Sequence, residues 1–129
     1  MNTIVKKQLL PRSWRTEAMH EKYEEERVAS VISDSCPLCT VPVIAEFTYW
    51  KLIKNKYPYD AVTLRHDLLI VKRHVASDKE LTQAEREELL ELKETTLNDT
   101  YTFIMEALPR NKSIPGHHHL HLMIPKVVS

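Results

Sequence analysis

Seven histidines fall in 129 residues, and four of them crowd together as His117, His118, His119 and His121. Their spacing has meaning only if the segment is extended. On a strand successive side chains point to opposite faces, so His117, His119 and His121 share one face at about 6 to 7 Å intervals. His118, Leu120 and Leu122 share the other. Imidazoles aligned in this way can ligate metal, attack phosphorus, donate to phosphate oxygens and pass protons near neutral pH. The plainer alternative, a histidine-rich surface strand, fits poorly with an alternation bounded by the apolar run Leu122-Met123-Ile124. Eight further residues follow the cluster, so it is not a terminal purification tag.

The second chemical feature is Cys36-Pro37-Leu38-Cys39. Such a pair reads as a metal knuckle or a redox pair before it reads as a structural disulfide. A redox site normally opens a helix after a strand, and the acidic Asp34 does not favour a low thiol pKa. The remaining histidines are His20, His66 and His74. His20 reads as a surface or packing residue of a helix, and His74, taken alone, as a surface histidine after two basic residues. The single glycine, Gly116, excludes glycine-rich phosphate loops, so any phosphate must be held by side chains, backbone donors or metal.

These residues need elements to place them. An arm ends at Pro11, and from Ser13 to about Ile32 the spacing of Trp14, Ala18, Met19, Tyr23 and Val28 predicts a helix. Asp34 to Pro42 is a turn-rich knuckle. Ala45 to Asn55 reads as one strand, Asn55 to Asp60 as a turn around Pro58, and Asp67 to Lys72 as a short central strand. Thr82-Gln83-Ala84-Glu85 is a capping box that opens a helix from Gln83 to about Leu108, stopped by Pro109; the charges from Glu85 to Glu94 read as its solvated face. Asn111 to Gly116 is a loop, and His117 to Ile124 a last strand closed by Pro125. The expected class is α+β with a mainly antiparallel sheet. It divides into an N-terminal arm and helix (1–33) and a main unit (34–129) that form one compact whole.

Charge is balanced, 18 basic against 18 acidic residues, which argues against tight binding to nucleic acid. No apolar run approaches the roughly 20 residues that span a bilayer. Met1 to Pro11 lacks the apolar core and cleavage site of a signal peptide, so a cytoplasmic location is expected.

The run His117-His118-His119-Leu120-His121-Leu122-Met123 resembles the His-φ-His-φ-His-φ-φ signature of the histidine-triad superfamily of nucleotide hydrolases and transferases. Asn55-Lys56-Tyr57-Pro58, then His66, then Leu69-Ile70-Val71-Lys72-Arg73-His74 is similar to that family's turn followed by a strand ending in Lys-Arg-His. Cys36 and Cys39 match its zinc-containing branch. The matches run from Cys36 to Pro125.

The resemblance implies a sheet of about five strands with packed helices, here with an extra N-terminal helix, and a homodimer. It implies His119 as the nucleophile that takes a nucleotidyl group, His121 as its phosphate-side partner, and His66 as a member of the proton relay. Asn55 would bind the ribose, and Ser113 would contact phosphate. Structural zinc would be held by Cys36, Cys39, His74 and His117. The sequence departs from the family pattern in three places. His118 stands at an apolar position, where either a partly wet sheet face or a polar partner is expected. Ile70-Val71 precedes Lys72 without the usual proline. Asn111 to Gly116 replaces a glycine-rich approach to the triad. Two functions of different class follow: an enzyme acting on a nucleotide-type small molecule through a nucleotidyl-histidine, or a non-catalytic, zinc-stabilised nucleotide-binding or regulatory module.

Overall fold

The computed structural model describes residues 14–33, 38–39, 41–108 and 117–126, without the side chains of 27–33. Its elements are α1 (Glu17–Ser33), β1 (Val43–Glu46), β2 (Trp50–Lys54), β3 (Thr63–Val71), a 3-10 turn (Asp78–Glu80), α2 (Gln83–Glu94), α3 (Thr96–Thr100), β4 (Phe103–Met105) and β5 (His119–Pro125). Among the described residues the five strands form one antiparallel sheet in the order β1-β2-β3-β5-β4. The class is therefore α+β, as expected. No helix among the described residues is long and apolar enough to cross a membrane.

The sheet buries both faces at its centre, which is why Leu68, Leu69, Ile70 and Val71 carry no polar side chain. Leu69 and Val71 join Trp50, Leu52, Leu120 and Leu122 on one face, packed with Leu92, Leu97 and Tyr101 from α2, α3 and the turn after it. Leu68 and Ile70 join Ile53 and Leu38 on the other. Register then places the histidines. His121 pairs with Leu68 and His119 with Ile70, and directly opposed residues share a face. The even spacing of the triad thus puts His119 and His121 on the face away from α2.

Several expectations are corrected. The stretch Ala45 to Asn55 is not one strand but a hairpin, β1 and β2 folded about Phe47, Thr48 and Tyr49. Its turn lacks glycine, proline or asparagine because α2 stabilises it from outside. The Glu88 carboxylate accepts from the amides of Thr48 (3.2 Å), Tyr49 (2.8 Å) and Trp50 (3.1 Å). The central strand begins at Thr63, four residues before Asp67.

The capping box at Thr82 forms as expected, but the helix it opens stops at Glu94 rather than Leu108. Two consecutive β-branched residues, Thr95 and Thr96, interrupt it. Phe103, Ile104 and Met105 then gain more as an edge strand beside β5 than as helix. Nor are the charges of α2 all solvated: Glu85 is 2% exposed. β5 begins at His119, and His117 sits in the bend before it. The His118 face is not wet either, since the ring is buried edge-on against Trp50, 6.2 Å between centroids. The loop expected at Asn111 to Gly116 lies outside the described residues.

Candidate active site and metal site

Two backbone contacts decide what the triad histidines present. His119 Nδ1 lies 2.9 Å from the carbonyl oxygen of His117. A carbonyl only accepts, so Nδ1 carries a proton, and in the neutral ring Nε2 keeps its lone pair. A neutral imidazole with a bare Nε2 is the nucleophilic form. His117 is fixed the other way round: its Nε2 donates to the Val71 carbonyl at 2.8 Å, which leaves Nδ1 unprotonated.

The third histidine belongs to a chain of bonds with one consistent polarity. The Tyr59 amide donates to His66 Nδ1 at 2.9 Å, so His66 holds its proton on Nε2. That nitrogen lies 2.8 Å from His121 Nδ1 and donates to it. His121 must then carry its own proton on Nε2, the outer end of the chain. The His119 and His121 rings meet edge to face, 5.2 Å between centroids. An unprotonated nitrogen and an N–H donor therefore belong to neighbouring rings, a pairing suited to a phosphoryl group that is attacked at phosphorus and held at oxygen.

The surroundings keep His66 and His121 uncharged. His66, His119 and His121 are each less than 5% exposed. Burial, with the Arg15 charge adding to it, pushes His66 down to about 4. Burial again comes first for His121, followed by the neighbouring histidines and Arg15, and brings it to about 3. Both rings are neutral at pH 7.

Asn55 lies beside this chain: its Nδ2 donates toward His66 Nδ1 at 3.4 Å, the nitrogen that also accepts from Tyr59, while its Oδ1 accepts from the Tyr57 amide at 2.9 Å. Ser113, expected at the phosphate, lies outside the described residues.

A second cluster adjoins the first. Cys39 Sγ is 3.3 Å from His74 Nδ1 and 3.6 Å from His117 Nδ1, and the three atoms lie within 4.8 Å of one another. Zinc bonds of ordinary length in a tetrahedron place a sulfur and a nitrogen about 3.6 Å apart, so the donor set fits such an ion. The fixed tautomer of His117 aims its unprotonated nitrogen at this point, and burial holds its pKa below the usual imidazole range. Three of the four expected ligands are thus together. Cys36 lies outside the described residues. His20 is apart, half-buried against Tyr23 in α1.

The residues that sequence reasoning did not single out are Tyr59 and Arg15. Tyr59 stacks on His121 (5.4 Å, 22° between planes) and packs on His66 at 4.4 Å. The Arg15 guanidinium lies over the rings of Tyr23 at 4.0 Å and Tyr59 at 4.8 Å. Pro58 marked the turn, but no spacing rule ties Tyr59 or Arg15 to histidines so distant in the chain.

No protein-family model matches the sequence, and no curated protein matches it. Solved structures do. A HIT family hydrolase from Legionella pneumophila superposes with a TM-score of 0.53 at 17% identity, over 74% of this chain and 96% of that one. A hypothetical histidine triad nucleotide-binding protein from Sulfolobus tokodaii superposes with a TM-score of 0.52 at 18% identity, over 76% of this chain and 66% of that one. The fold of this chain is that of the histidine-triad proteins.

Proposed function

We propose that the chain is a nucleotide hydrolase or nucleotidyltransferase that works through a nucleotidyl-His119 intermediate. The observation that carries this reading is the neighbouring placement of the His119 ring, its Nδ1–H tied to a carbonyl so that Nε2 is unprotonated in the neutral form, and the N–H end of the Tyr59–His66–His121 chain. The Legionella neighbour is called a hydrolase and the Sulfolobus neighbour nucleotide-binding, which agrees with it.

In the first half-reaction His119 Nε2 attacks phosphorus, a nitrogen–phosphorus bond forms, and the bond to the leaving group breaks with its electron pair. His121 donates its Nε2–H to the phosphoryl oxygens and steadies the negative charge that builds there. In the second half, water oxygen attacks phosphorus and the bond to His119 breaks back to nitrogen. The proton that water gives up balances the charge of the departed group. With an acceptor alcohol or phosphate in place of water the same steps make a transferase. Asn55 is assigned to the ribose and Ser113 to phosphate.

Zinc is assigned to Cys36, Cys39, His74 and His117 as a structural ion that holds His117, whose carbonyl in turn orients His119. The nucleotide-type substrate, the homodimer and the cytoplasmic location belong to this reading as well, as does the division into 1–33 and 34–129.

The test is mass spectrometry after brief mixing with dinucleoside polyphosphates, nucleoside phosphoramidates and nucleotide sugars. A nucleotidyl adduct on His119 is expected, and His119→Ala should lower turnover by at least about 1,000-fold while the fold is kept. Unchanged turnover in that variant overturns the reading.

A further inference from the structure

The segment just before α1 is fastened to the loop that feeds the histidine chain. The Trp14 carbonyl accepts from the Ala61 amide at 3.0 Å, and the Trp14 ring meets Tyr59 edge to face at 5.5 Å. Thr16 donates to the Asp60 carboxylate from its amide at 2.7 Å and from its hydroxyl at 3.0 Å. Between them Arg15 Nε donates to the Tyr57 carbonyl at 2.7 Å. Its guanidinium lies on Tyr23 of α1 and on Tyr59 of the loop. Three consecutive residues thus grip positions 57 to 61.

What they grip matters because of Tyr59. Its amide is the donor that makes His66 Nδ1 an acceptor. Its ring lies nearly parallel to His121 and against His66. A shift of this loop by even an ångström would break a 2.9 Å amide bond, and His66 would then be free to move its proton to the other nitrogen. The polarity of the whole chain to His121 would go with it.

We propose that Arg15 is a positioning residue of the histidine relay: by clamping Tyr57 and Tyr59 it holds His66 in the Nε2–H form and so fixes which proton His121 presents. Arginine suits the task because a planar guanidinium can stack on two aromatic rings while its edge donates to a carbonyl. A lysine offers a point charge with no plane to stack. The groups facing His66 are Tyr59 and Asn55 from the preceding turn, Asp67 on its own strand, and His119 and His121 from β5, with Arg15 beyond the tyrosine.

The inference rests on the relay reading of His66 and His121, and its test does not depend on turnover. Ring nitrogen shifts of the histidines in the full chain, labelled with nitrogen-15, report the tautomer directly. In the wild type at pH 7.5 His66 should show one bare Nδ1 and one protonated Nε2. In Arg15→Gln the His66 Nδ1 signal should move toward the averaged position of mixed tautomers, with the sheet amides unchanged. Arg15→Lys should fail to restore it, because the stack and the Tyr57 bond are what hold the loop. Tyr23→Leu removes one stacking partner of Arg15, together with an edge contact to the Tyr57 ring at 5.9 Å, but keeps the Arg15 bond to the Tyr57 carbonyl. It should move the signal in the same direction by less, and it serves if the first variant does not fold. Wild-type His66 and His121 shifts in Arg15→Gln, or full restoration by lysine, overturn the proposal. Unchanged histidine shifts overturn it even where turnover is lost.

Discussion

Glu85 shows how much a single side chain can be asked to do here. Its carboxylate takes the Thr82 amide in the capping box at 2.8 Å and two bonds from the Arg73 guanidinium at 2.8 and 2.9 Å. Its backbone carbonyl accepts from the Trp50 indole at 2.8 Å. The Arg73 bonds foremost, then the Thr82 amide, hold its pKa near 2 against the opposing effect of burial. The carboxylate stays ionised in the native protein after the unfolded chain has taken up its proton. Its stabilising contribution is present above about pH 4.5 and is lost as pH falls from there toward 2. Glu85→Gln should therefore flatten the acid limb: the stability difference from wild type should shrink across that window, by no more than about 1.4 kcal/mol per pH unit for one proton. Urea unfolding from pH 7 to pH 2.5 measures it, and a constant difference at every pH would count against the assignment. The sequence showed Glu85 as half of a capping box, because that signature is local. It hid the bond to Arg73, because strand ends and helix starts meet only in three dimensions.

The same division between local and distant causes governs the elements. The alternation from His117 to Leu122 was legible because strand geometry alone assigns the faces, and β5 then needed only register with β3 to bring His119 and His121 together. The hairpin between β1 and β2 was not legible. Nothing in Phe47-Thr48-Tyr49 asks for a turn, and what makes one is a carboxylate on α2 reaching three successive amides. The conversion of the expected helix end into β4 has the same origin, for an edge strand is stabilised by the strand it pairs with. Glu88→Ala should thus destabilise the protein by about 1 to 2 kcal/mol, the worth of charge-assisted bonds discounted for the exposure of Thr48 and Tyr49. Glu87→Ala, at an exposed position on the same helix, should cost less than about 0.5 kcal/mol. Equal midpoints in urea for the two variants would show that the turn does not depend on Glu88.

On the scale of the whole molecule, the cysteine–histidine cluster is the place where distant segments are joined. Cys39 comes from the segment before β1, His74 follows β3, and His117 leads into β5. Cys39 is 35 residues from His74 and 78 from His117, so an ion held by all three closes long loops that the unfolded chain leaves open. A preformed site of this kind does not exist in the unfolded state, and metal affinity is therefore folding free energy. At a free ion concentration 100 times the dissociation constant, the native state gains about 2.7 kcal/mol. For a chain of this length that corresponds to a thermal midpoint raised by roughly 10 °C. Stripping the ion with a chelator should lower the midpoint by about that amount, and adding zinc back should restore it. Cys39→Ser should start from the lower midpoint and respond to neither treatment, with elemental analysis reporting less bound zinc. Since the His117 carbonyl also holds His119 Nδ1–H, the stripped protein should lose turnover before it unfolds, at temperatures where the sheet is intact. A stripped protein with undiminished turnover would separate the metal tie from the nucleophile, and would place the orientation of His119 in the strand pairing with Ile70 alone.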